Sequence, residues 1–271
     1  MSLVEQRSLP VQVDIHCHVL PGLDDGARDL DQALAMLRVA VQDGTSILVA
    51  TPHARRCDAH TVRVTAELLR ESAAQQELPL ELLVGMEEQL LPDLLERLQS
   101  GAALPIGDTR WVLVELPDWT QWPTTLPAQL LELRSAGFRP ILAHVERYIP
   151  IQREPALALE AIQAGALLQV NADSLFGQNG HAAQHAAARL VRAGAVSILA
   201  SDAHSPDWRA PRLRDALERV ATLASPEAAE RLRDTALAVV QDREVPPPNP
   251  DPELLAAPTT FLERLRTWVG V

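Results

Sequence analysis

The chain has 271 residues, enough for one barrel or two small domains. All 24 basic residues are arginine, which excludes chemistry that needs an amine: a P-loop, a Schiff base, a Ser-x-x-Lys hydrolase or a metal pair bridged by carboxylated lysine. A formal charge of −12 argues against binding nucleic acid through its phosphates, and two cysteines fit a reducing, cytoplasmic compartment better than a disulfide scaffold. The first ten residues lack the basic-then-apolar pattern of a signal peptide, and no apolar run is long enough for stable insertion in a bilayer.

In chain order, VQVDIH (11–16) reads as a strand. Asp29 then caps a helical pattern at Leu30, Ala33, Leu34, Leu37 and Val41 that stops at Gly44. SILVAT (46–51) reads as a buried strand, 60–76 as a helix, LELLVG (80–85) as a strand and 92–99 as a short helix after Pro92. WVLVEL (111–116), RPILAH (139–144), ALLQVN (166–171) and VSILAS (196–201) are strands. They alternate with helices over 125–136, 155–164 and 181–193, and helices over 211–223 and 226–242 follow. Seven apolar strands, each followed by a helical segment, predict an α/β fold with a parallel sheet, as a barrel or a doubly wound sheet. Residues 245–252 (VPPPNPDP) are a stiff connection, and 258–268 read as an amphipathic helix packed back on the body.

Each strand finishes near a polar residue: His16 and His18, His53, Glu87, Glu115, His144, Asn171, then Asp202 with His204. Successive ends are 27 to 37 residues apart, about one βα unit. Strand C-termini of an α/β barrel converge on one mouth, so these groups are expected to meet there. A single histidine is more often structural; five of eight histidines at strand ends, with carboxylates beside them, point to a metal cluster. In extended chain His16 and His18 face one side and Cys17 the other, and Asp202-Ala203-His204 repeats the spacing. The loop 24–26 (DDG) adds Asp25, with Asp24 as the competing carboxylate. Imidazole and carboxylate without thiolate suit Mn, Fe or Zn, and about nine ligands exceed the coordination of one ion, which implies two or three.

Arginines near these groups narrow the substrate. Arg147 lies three residues after His144, Arg209 five after His204, and Arg55 and Arg56 follow His53. Guanidinium matches phosphate oxygens bidentately, which favours a phosphate ester over an amide. Cys57 and Arg63 have the C-x5-R spacing of cysteine phosphatases, but no glycine lies between them to let backbone N–H groups cradle a phosphate, and the match reads as coincidence.

The blocks VDIHCHVLPGLDDGARD, VATPH, GME, LVELP, AHVERY, QVNADSLFG and SDAHSPDWR resemble the PHP-domain family. Within it they resemble the capsular/exopolysaccharide tyrosine-protein phosphatases of the CpsB/CapC/YwqE type, from about residue 12 to 213. The resemblance implies a distorted (β/α)7 barrel with a metal site at the C-terminal strand ends, expected over 1–244; residues before 11 and after 243 find no counterpart in the family, and 245–271 are read from their own pattern as connection plus C-terminal helix. The resemblance also implies a trinuclear, usually manganese site: His16, His18, Glu87 and Asp202 on one ion; Glu87, Glu115 and His144 on a second; Asp25, His53 and His204 on a third. Arg147 and Arg209 fall where family members contact the substrate phosphate. Val145 stands where other members have proline, and Glu88 follows Glu87, where the G-x-E spacing favours Glu87.

The implied reaction is attack on phosphorus by a hydroxide bridging two metals, with a phosphotyrosine protein, a bacterial tyrosine kinase of polysaccharide export, as substrate. Two other readings share the fold: a histidinol-phosphate or other small-molecule phosphatase, and a PHP or TatD-like nuclease, which the DDG and D-x-H blocks and the charge disfavour.

Overall fold

A computed structural model describes residues 11–256, so the helix expected over 258–268 lies outside the described residues. Eight strands are present among them: β1 Gln12–Cys17, β2 Thr45–Ala50, β3 Glu81–Val84, β4 Glu87–Gln89, β5 Trp111–Glu115, β6 Arg139–Leu142, β7 Leu167–Asn171 and β8 Ile198–Ala200. All pairings are parallel and form two sheets, β1-β2-β3 and β4-β5-β6-β7-β8. Two isolated parallel bridges, Cys17 with Ala203 and His53 with Glu87, link one sheet to the other.

The eighth strand corrects the sequence reading, which expects seven. The segment around 80–89 pairs with β2 before Gly85 and with β5 after it. At the switch Gly85 N–H still donates to Ala50 O (2.8 Å), and a Cβ on Gly85 would meet Pro105 O at 3.2 Å and Ile106 Cα at 3.3 Å. A side chain here would press on that backbone, so glycine eases the close crossing between sheets.

The helices are α1 Leu30–Asp43, α2 Ala59–Gln75, α3 Leu94–Ser100, α4 Leu126–Ser135, α5 Ile149–Arg153, α6 Ala158–Gln163, α7 His181–Arg192, α8 Arg214–Leu223, α9 Pro226–Val240 and α10 Pro252–Leu255. Asp29 caps α1 by accepting from Gln32 N, and Gly44 ends it in the left-handed conformation. The helix expected over 155–164 is a 3-10 turn (Pro155–Leu157) leading into the shorter α6, and α5 and α10 are short helices with Pro150 and Pro252 in their first turns where the reading places none.

Three apolar clusters hold these layers. One lies between β4–β8 and α3–α8, and a second between β1–β3 and α1 and α2. The third draws on both sheets: Val13, Ile15, Val49, Leu113, Ile141, Leu167 and Ile198, with Ala236 and Val239 of α9. Asp242, just after α9, accepts from Arg110 and Arg139 at the starts of β5 and β6. No helix of the described residues is long and apolar enough to cross a membrane.

Candidate metal centre

The bulge in β1 aims the first pair of histidines. Asp14 pairs with Leu48 but Cys17 with Ala50, so β1 carries one extra residue there. Below the bulge Val13 and Ile15 join the cluster shared by both sheets; above it Cys17 packs with α1 and α2, while His16 and His18 face the strand ends. The seam to β8 is fixed by Asp14, whose carboxylate accepts from His16 N (3.3 Å), Ser201 N (3.1 Å) and Ser201 Oγ (2.5 Å). Burial raises the Asp14 pKa to about 6 against these bonds.

His16, His18, Asp25, His53, Glu87, Glu115, His144, Asp202 and His204 are brought together at this end of the strands. Three sets have ligand atoms within 4.8 Å of one another: His18, Asp25, His53 and His204; His16, His18 and Glu87; His53, Glu87 and Glu115. Glu87 sits at the hub. Its Oε1 is 2.7 Å from His144 Nε2, and its Oε2 is 2.8 Å from His53 Nδ1 and 3.5 Å from Nε2 of both His16 and His18. Glu115 Oε2 stands 4.0 Å from His144 Nε2, and Asp25 Oδ1 stands 3.4 Å from His53 Nε2 and 3.9 Å from His204 Nε2.

Hydrogen bonds around the cluster fix the imidazole protons, and they fit a cation. Gln169 Oε1 accepts from His144 N (2.9 Å), so its other close neighbour, His16 Nδ1 (3.1 Å), must also donate. Asp24 Oδ2 accepts from His53 N (3.0 Å) and His18 Nδ1 (2.7 Å). Both rings then turn bare Nε2 lone pairs toward each other, 3.2 Å apart. That contact is repulsive unless a proton or cation lies beside it. The pKa shifts point the same way: against burial, Glu87 and Asp202 raise His16, and Asp202 and Asp24 raise His18 to about 10. Glu87 Oε2 is buried without a well-aligned hydrogen bond, an orphaned acceptor that a cation would satisfy. His204 Nδ1 donates to Asp202 O (2.9 Å), and burial, with His18 beside it, lowers its pKa to about 3, leaving a neutral imidazole.

Asp202 divides its two oxygens. Oδ1 faces Nε2 of His18 (3.3 Å) and His16 (3.5 Å). Oδ2 accepts from Arg147 Nη1 (3.0 Å) and Asn171 Nδ2 (2.7 Å) and is ion-paired with Arg209 Nη2 (2.6 Å), which donates to the Asp202 carbonyl oxygen (3.0 Å). Both expected arginines therefore lie at the cluster. His144 (φ 34°), Asp202 (φ 51°) and Arg209 (φ 53°) hold left-handed backbone, a strained conformation for residues with side chains and one that concentrates at functional sites.

This backbone also changes how two expected residues are placed. β6 stops at Leu142 and β8 at Ala200, so left-handed turns beyond the strands, rather than simple strand alternation, present His144 and Asp202. Alternation does separate Glu87 from Glu88: the second carboxylate turns away and takes Arg97 Nη1 at 2.7 Å. The DDG loop needs its glycine, because a Cβ on Gly26 would sit 1.9 Å from His18 O. Gly26→Ala is expected to displace the loop carrying Asp24 and Asp25 and to weaken metal binding by about 10- to 100-fold, read by isothermal titration with Mn²⁺. Unchanged affinity would count against the loop's role.

The structure adds supports the sequence reading lacks. Gln169 fixes His16 and His144, Asp24 fixes His18 and His53, and Gln89 Nε2 donates to Glu115 Oε1 (3.1 Å). Asn171, noted only as a strand-end polar group, donates to Asp202 and accepts from Gln169 Nε2 (2.8 Å). The signal for Gln169 is a polar residue at an inward position of an apolar strand run, two before Asn171. The cysteines stay apart from this chemistry. Burial, with Asp24 and Asp58 nearby, pushes the Cys57 thiol up to about 12, and burial raises Cys17 well above its ordinary value. A Cys17→Ser/Cys57→Ser double variant is expected to keep the turnover of a phosphotyrosyl peptide that the family resemblance implies to within about twofold; abolished turnover in a folded variant would bring the thiol route back.

A family model described as capsular polysaccharide synthesis, CpsB/CapC, matches residues 12–238. Tyrosine-protein phosphatase YwqE of Bacillus subtilis is 32% identical over 209 residues, which cover 76% of this chain and 82% of that protein. Tyrosine-protein phosphatase CpsB of Streptococcus agalactiae serotype V is 26% identical over 229 residues, 81% of this chain and 94% of the relative. A solved structure from the pair YwqE of Bacillus subtilis and CpsB of Streptococcus pneumoniae, described as metal-dependent tyrosine phosphatases, matches with a TM-score of 0.84 at 30% identity, covering 88% of this chain and 99% of that one. A TatD-family hydrolase from Entamoeba histolytica matches with a TM-score of 0.56 at 9% identity over 87% of this chain and 100% of its own, a likeness of fold alone.

Proposed function

The chain belongs to the capsular polysaccharide synthesis family CpsB/CapC, and from that premise we propose that it is a metal-dependent protein-tyrosine phosphatase. The observation that carries the reading is the double use of Asp202, one oxygen on the imidazole cluster and the other under two guanidinium groups. A cation site and a phosphate clamp share one carboxylate, so a phosphomonoester bound there meets positive charge from both sides.

The ligand sets are His16, His18, Glu87 and Asp202; Glu87, Glu115 and His144; and Asp25, His53 and His204, for two or three divalent ions, manganese by this reading. When bound, the ions neutralise phosphate charge and lower the pKa of water enough for attack at neutral pH. Asp24 and Gln169 keep the Nδ1 protons of His18 and His16 in place, so both Nε2 atoms remain free to bind. Arg147 and Arg209 direct their remaining N–H donors at the equatorial phosphate oxygens and take up charge as the P–O bond breaks. The departing phenolate, of pKa about 10, needs little help from a general acid.

We read the two sheets as one distorted (β/α)7 barrel within 1–244, with 245–271 as an appended proline-rich connection and C-terminal segment. The apolar cluster shared by both sheets and the two bridges between them support this. We place the protein in the cytoplasm, where its two free thiols are stable, acting on a phosphotyrosine protein such as a bacterial tyrosine kinase that controls capsule or exopolysaccharide synthesis. Phosphate release from a phosphotyrosyl peptide, a phosphoseryl peptide and histidinol phosphate in Mn²⁺ tests the reading. The phosphotyrosyl peptide is expected to have the highest kcat/KM; preference for histidinol phosphate would replace the reading with a small-molecule phosphatase, and no turnover of any would overturn it.

A further inference from the structure

Aromatic residues are scarce in this chain and unevenly placed. Seven Phe, Tyr and Trp side chains fall in the described residues, and five of them (Trp119, Trp122, Tyr148, Phe176 and Trp208) lie on segments that follow β5, β6, β7 and β8, toward the candidate metal centre. Tyr148 is buried, and its hydroxyl oxygen accepts from Leu116 N (2.9 Å). Trp122 is tied by its indole N–H to Glu160 (2.8 Å). Trp119 and Trp208 are different, because each lies beside one of the two clamp arginines.

The Arg147 guanidinium carbon lies 4.3 Å from the Trp119 ring centroid, and the same ring is 5.2 Å from the His144 ring. Arg209 lies 5.9 Å from the Trp208 ring. Trp208 is 66% exposed, although a tryptophan ordinarily buries most of its large apolar surface. It does not hang on a loose loop. Its backbone N–H donates to Ser205 Oγ (2.9 Å), Ser205 Oγ donates back to the Trp208 carbonyl oxygen, and His204 N donates to Arg209 O (2.9 Å), closing the turn beside a candidate ligand.

We propose that Trp119 and Trp208, one against each clamp arginine, form an aromatic rim that receives the phenyl ring of an aryl phosphate and selects it over an alkyl phosphate. The inference rests on the phosphatase reading and names the residues that set its substrate class. A phosphate held by Arg147 and Arg209 carries its ester substituent only one bond away, within reach of rings packed against those same guanidinium groups. Offset or edge-to-face contact at centroid separations of about 4.5–7 Å is attractive for a phenyl ring and has no counterpart for a short alkyl chain. Trp119 also holds Arg147 by a cation–π contact, whereas Trp208 offers the freer wall.

The test uses Mn²⁺-loaded protein and two competitive inhibitors, phenylphosphonate and methylphosphonate, which share the anion and differ in the ring. Wild type is expected to prefer phenylphosphonate. Trp208→Ala is expected to raise the inhibition constant of phenylphosphonate by about fivefold while shifting that of methylphosphonate by less than about twofold, and Trp208→Phe to recover most of the preference. A loss from simple damage would weaken both inhibitors alike. An equal phenyl-to-methyl ratio in wild type and Trp208→Ala, or no preference in wild type that hydrolyses phosphotyrosyl peptide, would overturn the rim. Wild type that hydrolyses no phosphomonoester would instead overturn the phosphatase reading, and the rim with it.

Discussion

Glu87→Gln is expected to lower kcat on a phosphotyrosyl peptide by about a thousandfold, as several kcal/mol of cation-derived stabilisation is lost. The amide keeps the size of the side chain but removes the charge at the hub, where one carboxylate faces His16, His18, His53 and His144 at 2.7 to 3.5 Å. It also sets an NH2 group against ring nitrogens that the surrounding hydrogen bonds leave as acceptors. Metal content per chain, measured by elemental analysis, should fall with kcat. Glu88→Gln is the matched control. Its carboxylate is buried against Arg97 on the far side of the strand, so it should cost about 1–3 kcal/mol of stability in denaturant titration and leave the metal content alone. Equal effects of the two substitutions on turnover would contradict the assignment of Glu87.

Arg147→Ala and Arg209→Ala should each lower kcat/KM by about a hundredfold, with a higher KM and a lower kcat, because each removes donors that meet the phosphate as its charge builds. The double variant should lose less than the product of the two. Both guanidinium groups reach the same Asp202 oxygen, at 3.0 and 2.6 Å, so they act as one unit and their effects couple. Arg147→Lys should not restore activity: an ammonium keeps the charge but neither the planar fork nor the stacking on Trp119. A steady-state double-mutant cycle reads all of this, and strictly multiplicative losses would show two independent groups.

Much of the site can be read from the chain because its parts recur at one βα spacing and because histidine and carboxylate are conspicuous at the ends of apolar runs. His16, His53, Glu115 and Asp202 are visible in that way. What is not visible depends on backbone that no pattern encodes. The β1 bulge lets Ile15 pack in the interior and His16 face the cluster although they are neighbours in sequence. The break at Gly85 turns one expected strand into two, since a close approach to Pro105 and Ile106 is a tertiary fact. Left-handed turns at His144 and Asp202 move both residues beyond the strands they seem to end. Gln169 escapes for another reason, and so does the role of Asp24, visible only as a competing carboxylate: each acts through a histidine it orients, so its meaning appears only once the ring nitrogens have partners.

The central claim is that divalent cations held by this cluster drive hydrolysis of phosphotyrosine. Its most direct test is phosphate release from a phosphotyrosyl peptide by protein stripped with a chelator and then titrated with Mn²⁺, with bound metal counted at each step. Turnover should vanish on stripping and return as two or three ions bind per chain. Full turnover by protein shown to be free of metal would contradict the claim.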